Sequence, residues 1–514
     1  MELFGLDVSV TWTLVIGVLL LLAWYDWWRH HYFQRLGIPV ADYVPIFGNA
    51  LQWRRGLQTT FTDYVKKYGR VVGTYDFHRP VLIITDPDLL KNILVKNFSS
   101  FNNRRRIGMS QKPLSRALTD LVNEEWKEIR SVITPSFSAS KMRKMSPLIN
   151  ECCDTLLASI GKAREGDMSI DFMVVSGAYT MDVIAKCGFG LEVDSQGSKD
   201  DPFVKNAKKF FEFSRLSPKV LILSLFPFMG RVFTFLNISL FAPDALKFFM
   251  DVTEAACKMR TAEGEQASQR VDLLQLMLNA HNDPEVDQED TPSSDKAKGK
   301  GVVQRKPLST EDVMAQSLIF FLAGYDTSTA MLSLTAYLLA TNQDAQEKLH
   351  AEIDNLAPTR DNLGYDVIAK MEYLDMVINE SLRMYPPTVV FDRMCNDTIT
   401  YKGLVIEKGV GVLVSVWTMH YDEEYWTNPT TFDPERFSPE NKASIKPCSF
   451  QTFGFGPRNC IGMRFALLEA KMALVRVLQQ YRFDVCSETE IPPTLGKRGH
   501  LAPKNIILNA IPRK

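Results

Sequence analysis

The residues best suited to chemistry lie in one short string near the carboxyl end, Phe453-Gly454-Phe455-Gly456-Pro457-Arg458-Asn459-Cys460-Ile461-Gly462. Three glycines surround a cysteine, and a helix-forming run, Met463-Arg464-Phe465-Ala466-Leu467-Leu468-Glu469, follows it. Glycine lets a backbone turn tightly and lets a flat ligand come close. A cysteine at a helix amino terminus has amide donors at hand and a depressed pKa, so it can serve as an anionic metal ligand. Arg458 stands two residues away, placed to neutralise an acidic group on whatever the sulfur holds. Two other constellations accompany it. Glu380 and Arg383 stand three apart, on one face of a helix. Asp326 and Thr327 form an acid–hydroxyl pair able to relay protons.

Other chemistries find no support. The seven histidines include no HExxH, and no GxxxxGK[ST] occurs. The eight cysteines are scattered, with no CxxC pair, as in a protein kept reduced. A formal net charge of −1 leaves no basic footprint for nucleic acid.

The elements that position these residues are mainly helical. Residues 8–25 carry no charge and are long enough to cross a bilayer as a helix. Trp24, Trp27 and Trp28 supply an interfacial belt, and Arg29 and Arg35 follow, so the positive flank keeps the body of the chain in the cytoplasm. The basic n-region and cleavage site of a signal peptide are missing. We therefore expect an anchor helix over 1–28, a stiff proline-containing lead over 29–50, and one catalytic domain over 51–514. Short β-like runs at 71–75 and 81–85 precede long helical patterns, and 404–415 reads as β again. Residues 281–306, with almost nothing apolar, read as a flexible surface loop. Ser309 with Glu311 and Asp312 starts a helix. The run to residue 341 that follows is apolar nearly all round apart from Asp326, which predicts a helix through the core rather than a second span. The fold class is mainly α with a smaller β portion.

The string from Phe453 to Gly462 matches FxxGxRxCxG, and the chain thereby resembles the cytochrome P450 superfamily. Glu380 and Arg383 resemble its ExxR, and Phe432-Asp433-Pro434-Glu435-Arg436-Phe437 its PERF box. The resemblance runs from about residue 30 to the carboxyl end. It implies the P450 fold, heme b as cofactor with Cys460 as the axial ligand of its iron, and a structural network of Glu380, Arg383 and Arg436. Trp126 and Arg130 match the family's WxxxR, which implies propionate contacts, and Arg104 or Arg105, Arg393 and Arg458 resemble further ones; Phe453 opens the cysteine loop.

Ala323-Gly324-Tyr325-Asp326-Thr327 resembles the family's [AG]GxxT, which implies catalytic roles for Asp326 and Thr327 in proton delivery, with Gly324 opening space beside the helix. Leu322 and Ala323, with Thr388, Val389, Val390 and Phe391, would line the substrate pocket, beneath a roof supplied by Phe210, Phe211, Phe213 and Phe226-Pro227-Phe228. His500 would enter that pocket. The chain is most similar to the group containing family 3 enzymes and thromboxane synthase. The intact Asp326–Thr327 pair favours a monooxygenase acting on lipophilic substrates of steroid, fatty-acid or xenobiotic type. A synthase-like isomerase is the alternative, and a non-catalytic haem sensor or carrier a weaker one. No flavin or nicotinamide fingerprint is present. The resemblance therefore implies O2, electrons from NADPH-cytochrome P450 reductase, cytochrome b5 as a further donor, and the endoplasmic reticulum membrane as location. Lys127, Lys141, Arg143, Lys144, Lys442 and Lys446 offer a basic docking face.

Overall fold

The computed structural model describes residues 8–105, 113–166, 168–198, 200–211, 217–226, 228–236, 238–263, 270, 272–282, 308–496 and 501–513. Most of the expected loop at 281–306, the first seven residues of the anchor, and Phe213, Pro227 and His500 lie outside the described residues.

Helices dominate, as the periodicity predicts, and the central one is Thr310–Thr341. Ser309 opens it with a capping box. Its side chain accepts from the Asp312 amide, and Asp312 returns a bond to the Ser309 amide. The helix is apolar on every side because protein covers it on every side. Of its most apolar window 67% is buried, against 0% for the amino-terminal helix, so the core reading holds and the membrane reading does not. It packs against the helices Phe172–Val183, Glu372–Met384 and Met463–Gln480. Phe321 on it stacks on Phe189 at 3.8 Å.

A four-stranded sheet flanks the helices in the order Val71–Asp76, Arg79–Ile84, Gly411–Ser415, Val390–Met394. The first two form an antiparallel hairpin, the second and third run parallel, and the last is antiparallel with Arg393 opposite Val412. The β-like run at 404–415 is therefore two strands. Leu404–Ile406 pairs with Ile399–Tyr401 in a separate ribbon, and a turn at Gly409, with φ of +90°, redirects the chain into the main sheet. The last residues close a third sheet, in which Ile507–Pro512 lies between Ser169–Asp171 and Tyr481–Asp484.

The amino-terminal helix spans Val8–His30 and exposes a run of large apolar side chains from Val10 to Trp28. The lead that follows lies on the domain instead of standing off from it. Phe33 and Ile38 are buried, the Ala41 amide donates to Gly73 O at 3.0 Å, and the Gly73 amide donates to Pro39 O at 2.7 Å. A side chain on Gly73 would collide with the Phe33 ring. The prolines keep this segment extended, and an extended segment can pair with an open strand edge.

Candidate active site

The cysteine loop is shaped by two glycines. Gly454 and Gly456 have φ of +72° and +78°, the left-handed region, and a Cβ at Gly456 would overlap the carbonyl oxygen of Leu94. The Cys460 amide donates to Phe453 O at 2.8 Å and closes the turn. Arg130 clamps its far side, donating to Asn459 O at 2.9 Å and Asn459 Oδ1 at 3.0 Å. Cys460 lies deep in the molecule with an accessible side chain, whereas the other seven cysteines are buried or half-buried. The expected depression of its pKa is not found. Burial pushes the thiol up, and the Gly462 and Met463 amides with Arg130 and Arg104 only partly offset it. A metal cation bound to the sulfur reverses that balance, because it favours the thiolate directly.

Beside the loop the chain buries positive charge that Asp392 and Asp120 only partly offset. Arg393 is 1% exposed and Arg458 4%. Burial and the nearby Arg104 depress both guanidiniums to about 9. The Nε atoms of Arg104 and Arg393 are buried without a hydrogen-bond partner. Arg458 lies 4.8 Å over the ring of the buried Trp126 and donates to Leu121 O at 2.7 Å. Clustered, desolvated cations with unfilled donors require an anionic ligand. The two propionates of a haem would supply that charge and the Cys460 sulfur would hold its iron, so the residues fit the cofactor. Arg105 does not join them. Its guanidinium pairs with Asp76 and its amide donates to Asp392 Oδ2 at 2.7 Å, so the position facing the cluster is Arg104.

Below the loop, Arg383 and Glu380 are both fully buried and joined by two bonds, 2.7 and 2.8 Å, with Arg436 Nε on the same carboxylate at 3.3 Å. Arg383 also donates to His420 O and Pro429 O, each at 2.8 Å. His420 is a residue the sequence reading missed. Its Nε2 accepts the Gln451 amide at 3.0 Å, so Nδ1 carries the proton and donates to Arg383 O at 2.9 Å. Burial and then Arg383 push its pKa down to about 3, which keeps it neutral. The ring thus ties the buried ion pair to the approach of the cysteine loop.

On the central helix, Thr327 Oγ1 donates to Ala323 O at 2.7 Å, a bond back to its own helix, and Thr329 does the same to Tyr325 O. Ser328 turns the other way and donates to Glu469 Oε2 at 3.2 Å. Glu469, missed in the sequence, is fully buried, and burial raises its carboxyl to about 8. The space beside Gly324 is filled: a Cβ there would sit 2.8 Å from Ile184 Cδ1, so this glycine admits the neighbouring helix. Ala323 is exposed in the middle of this largely buried helix. Leu322, at 0% exposure, packs into the core, as does Val389, whereas Thr388, Val390 and Phe391 remain half-open. Phe210 is a core residue stacked on Phe241 at 4.4 Å.

A family model for cytochrome P450 matches residues 38–510. The chain belongs to the cytochrome P450 family. It is 41% identical to cytochrome P450 3A29 of Sus scrofa over 506 residues, 98% of this chain and 97% of the relative. It is 41% identical to cytochrome P450 3A5 of Homo sapiens over 499 residues, 97% and 95% of the two chains. To cytochrome P450 3A13 of Mus musculus it is 42% identical over 499 residues, again 97% and 95%. The protein is therefore a haem-thiolate monooxygenase that uses O2, reductase-supplied electrons and a lipophilic substrate. These relatives lend no support to the isomerase reading.

As a P450 it must also meet a reductase. Of the basic residues named for docking, Arg143 is paired with Asp366 at 2.7 Å, Lys446 with Asp88 at 3.4 Å and Lys127 with Glu124 at 3.5 Å. Lys144 and Lys442 are exposed, and Lys141 is half-buried.

Proposed function

We propose that this P450 hydroxylates lipophilic substrates of steroid, fatty-acid or xenobiotic type at the endoplasmic reticulum membrane, with cytochrome b5 as a second electron donor beside NADPH-cytochrome P450 reductase. The observation that carries the reading is the accessible Cys460 thiol together with the guanidiniums of Arg104 and Arg393, whose buried Nε atoms have no hydrogen-bond partner. Bound haem would supply oxygen activation, with Cys460 as the thiolate that holds its iron. The chain supplies the rest. Arg104, Arg393 and Arg458, with Trp126, hold the propionates, and Arg130 fixes the loop through Asn459. Glu380, Arg383 and Arg436, joined by His420, brace the segment that leads into that loop.

Asp326 and Thr327 bring protons from solvent. The Thr327 hydroxyl donates to Ala323 O and keeps its lone pairs free to accept a further hydrogen bond. Ala323, Thr388, Val390 and Phe391 give the substrate an apolar wall. The exposed helix Val8–His30 and the exposed Phe226, Phe228 and Phe235 support a membrane setting, where apolar substrates concentrate. The test is turnover with purified reductase, NADPH and isotopically labelled dioxygen across steroids, fatty acids and xenobiotics. One labelled oxygen atom per product is expected. Conversion of an endoperoxide without NADPH, and no labelled product from any of the three classes, would overturn the reading.

A further inference from the structure

At the carboxyl end of the amino-terminal helix three side chains converge from two elements. Asp26 and His30 stand four apart on one helix face, and His78 comes from the turn of the first hairpin. His30 Nδ1 lies 3.2 Å from Asp26 Oδ1, His78 Nδ1 lies 3.4 Å from the same oxygen, and the three ligand atoms all fall within 4.8 Å of one another. Around a tetrahedral zinc with bonds of about 2.0–2.1 Å, neighbouring ligand atoms stand about 3.3 Å apart.

The hydrogen bonding around His30 is short of a cation. Its Nε2 faces Phe77 O at 3.1 Å, and its Nδ1 faces Asp26 O at 2.9 Å as well as Oδ1. A neutral imidazole carries one N–H and cannot donate at both ends. With the hydrogen on Nε2, the Nδ1 lone pair points at oxygens. His30 is fully buried, so water does not relieve the conflict, and Tyr43 stacks on its ring at 4.6 Å. His78 Nδ1 is likewise buried and without a hydrogen-bond partner. One cation at the centre serves all three atoms. Asp26 Oδ1 also accepts the Ile46 amide at 2.9 Å, which fixes the carboxylate and leaves its second lone pair for a metal. Arg29 is the opposing charge nearby, but its Nη2 is drawn off to His78 O at 2.9 Å.

We propose that Asp26, His30 and His78 bind a divalent transition-metal ion of the zinc class, which staples the anchor helix to the first hairpin. Two imidazoles and one carboxylate suit zinc, whereas calcium and magnesium call for oxygen ligands. The staple would set the angle at which the catalytic domain leaves the membrane helix.

The test uses the full-length haem-loaded protein, stripped with chelator and dialysed against micromolar zinc chloride, with zinc and iron counted together by mass spectrometry. One zinc per iron is expected in the wild type. His78→Ala and Asp26→Asn should each weaken binding by about tenfold or more, and His78→Cys, which keeps a ligand, should restore it. X-ray absorption at the zinc edge should show nitrogen and oxygen neighbours with an imidazole pattern. Zinc uptake equal in wild type and His78→Ala, or a sulfur shell in the wild type, would overturn the proposal. So would the absence of uptake. The carbon monoxide spectrum of each variant reports folding independently of zinc uptake.

Discussion

At the scale of single residues, the site is defined by charge that the chain does not balance by itself. Arg104, Arg393 and Arg458 repel one another, and propionates bound there would release that repulsion. Arg104→Gln should therefore speed haem transfer to an apomyoglobin acceptor by about tenfold, the equivalent of about 1.4 kcal/mol. Arg105→Gln, which breaks only the pair with Asp76, should leave that rate near the wild-type value. Equal rates for the two variants would contradict the assignment. Glu469 makes a second prediction. Its folded pKa of about 8 lies above the ordinary value of 4.5. The folded state thus holds the proton more tightly than the unfolded one. The stability this confers is complete below about pH 4.5 and is lost as pH rises through about 8. Thermal melts should show the wild type losing stability between pH 5 and 8, with Glu469→Gln flattening that slope. Parallel slopes would mean the carboxyl titrates normally.

At the scale of elements, what was legible depended on how local the signal was. The cysteine loop, the ExxR pair and the PERF box are short strings, so their residues could be named before their distances were known. The helix start at Ser309 was legible for the same reason, since a capping box is local. Arg104 and Arg105 could not be told apart, because the choice depends on Asp76, which the first hairpin delivers from 29 residues away. His420 and Glu469 carried no string at all; one is made important by the Gln451 amide and the other by Ser328, each far off in sequence. Gly324 was read as open space because the partner that fills it, Ile184, belongs to another helix. The buried network gives the element-scale prediction. Glu380→Ala leaves Arg383 charged and unpaired at 0% exposure, which should cost about 3–5 kcal/mol and lower haem-loaded yield. A melting temperature within a degree of wild type would show that the carbonyls of His420 and Pro429 suffice for Arg383.

At the scale of the whole molecule, one helix lies outside the packed body and the rest of the described elements lie within it. The exposed apolar face of Val8–His30 has no partner among the described residues, but its last turn does: His30 is buried against Phe77 and Tyr43. A chain lacking residues 1–24 should thus leave the membrane fraction and still bind haem normally. A chain lacking residues 1–31 should also lose the His30 contacts and unfold at lower temperature, by about 1–3 kcal/mol for the bonds removed. Identical melting of the two truncations would show that the junction carries no stability.

The central claim is that Cys460 ligates the haem iron as a thiolate, and the carbon monoxide difference spectrum of the reduced protein tests it most directly. The wild type should absorb near the wavelength that names the family, and Cys460→Ala should lose that band while the other seven cysteines remain. A histidine-type band in the wild type, or an unchanged band in Cys460→Ala, would contradict the account.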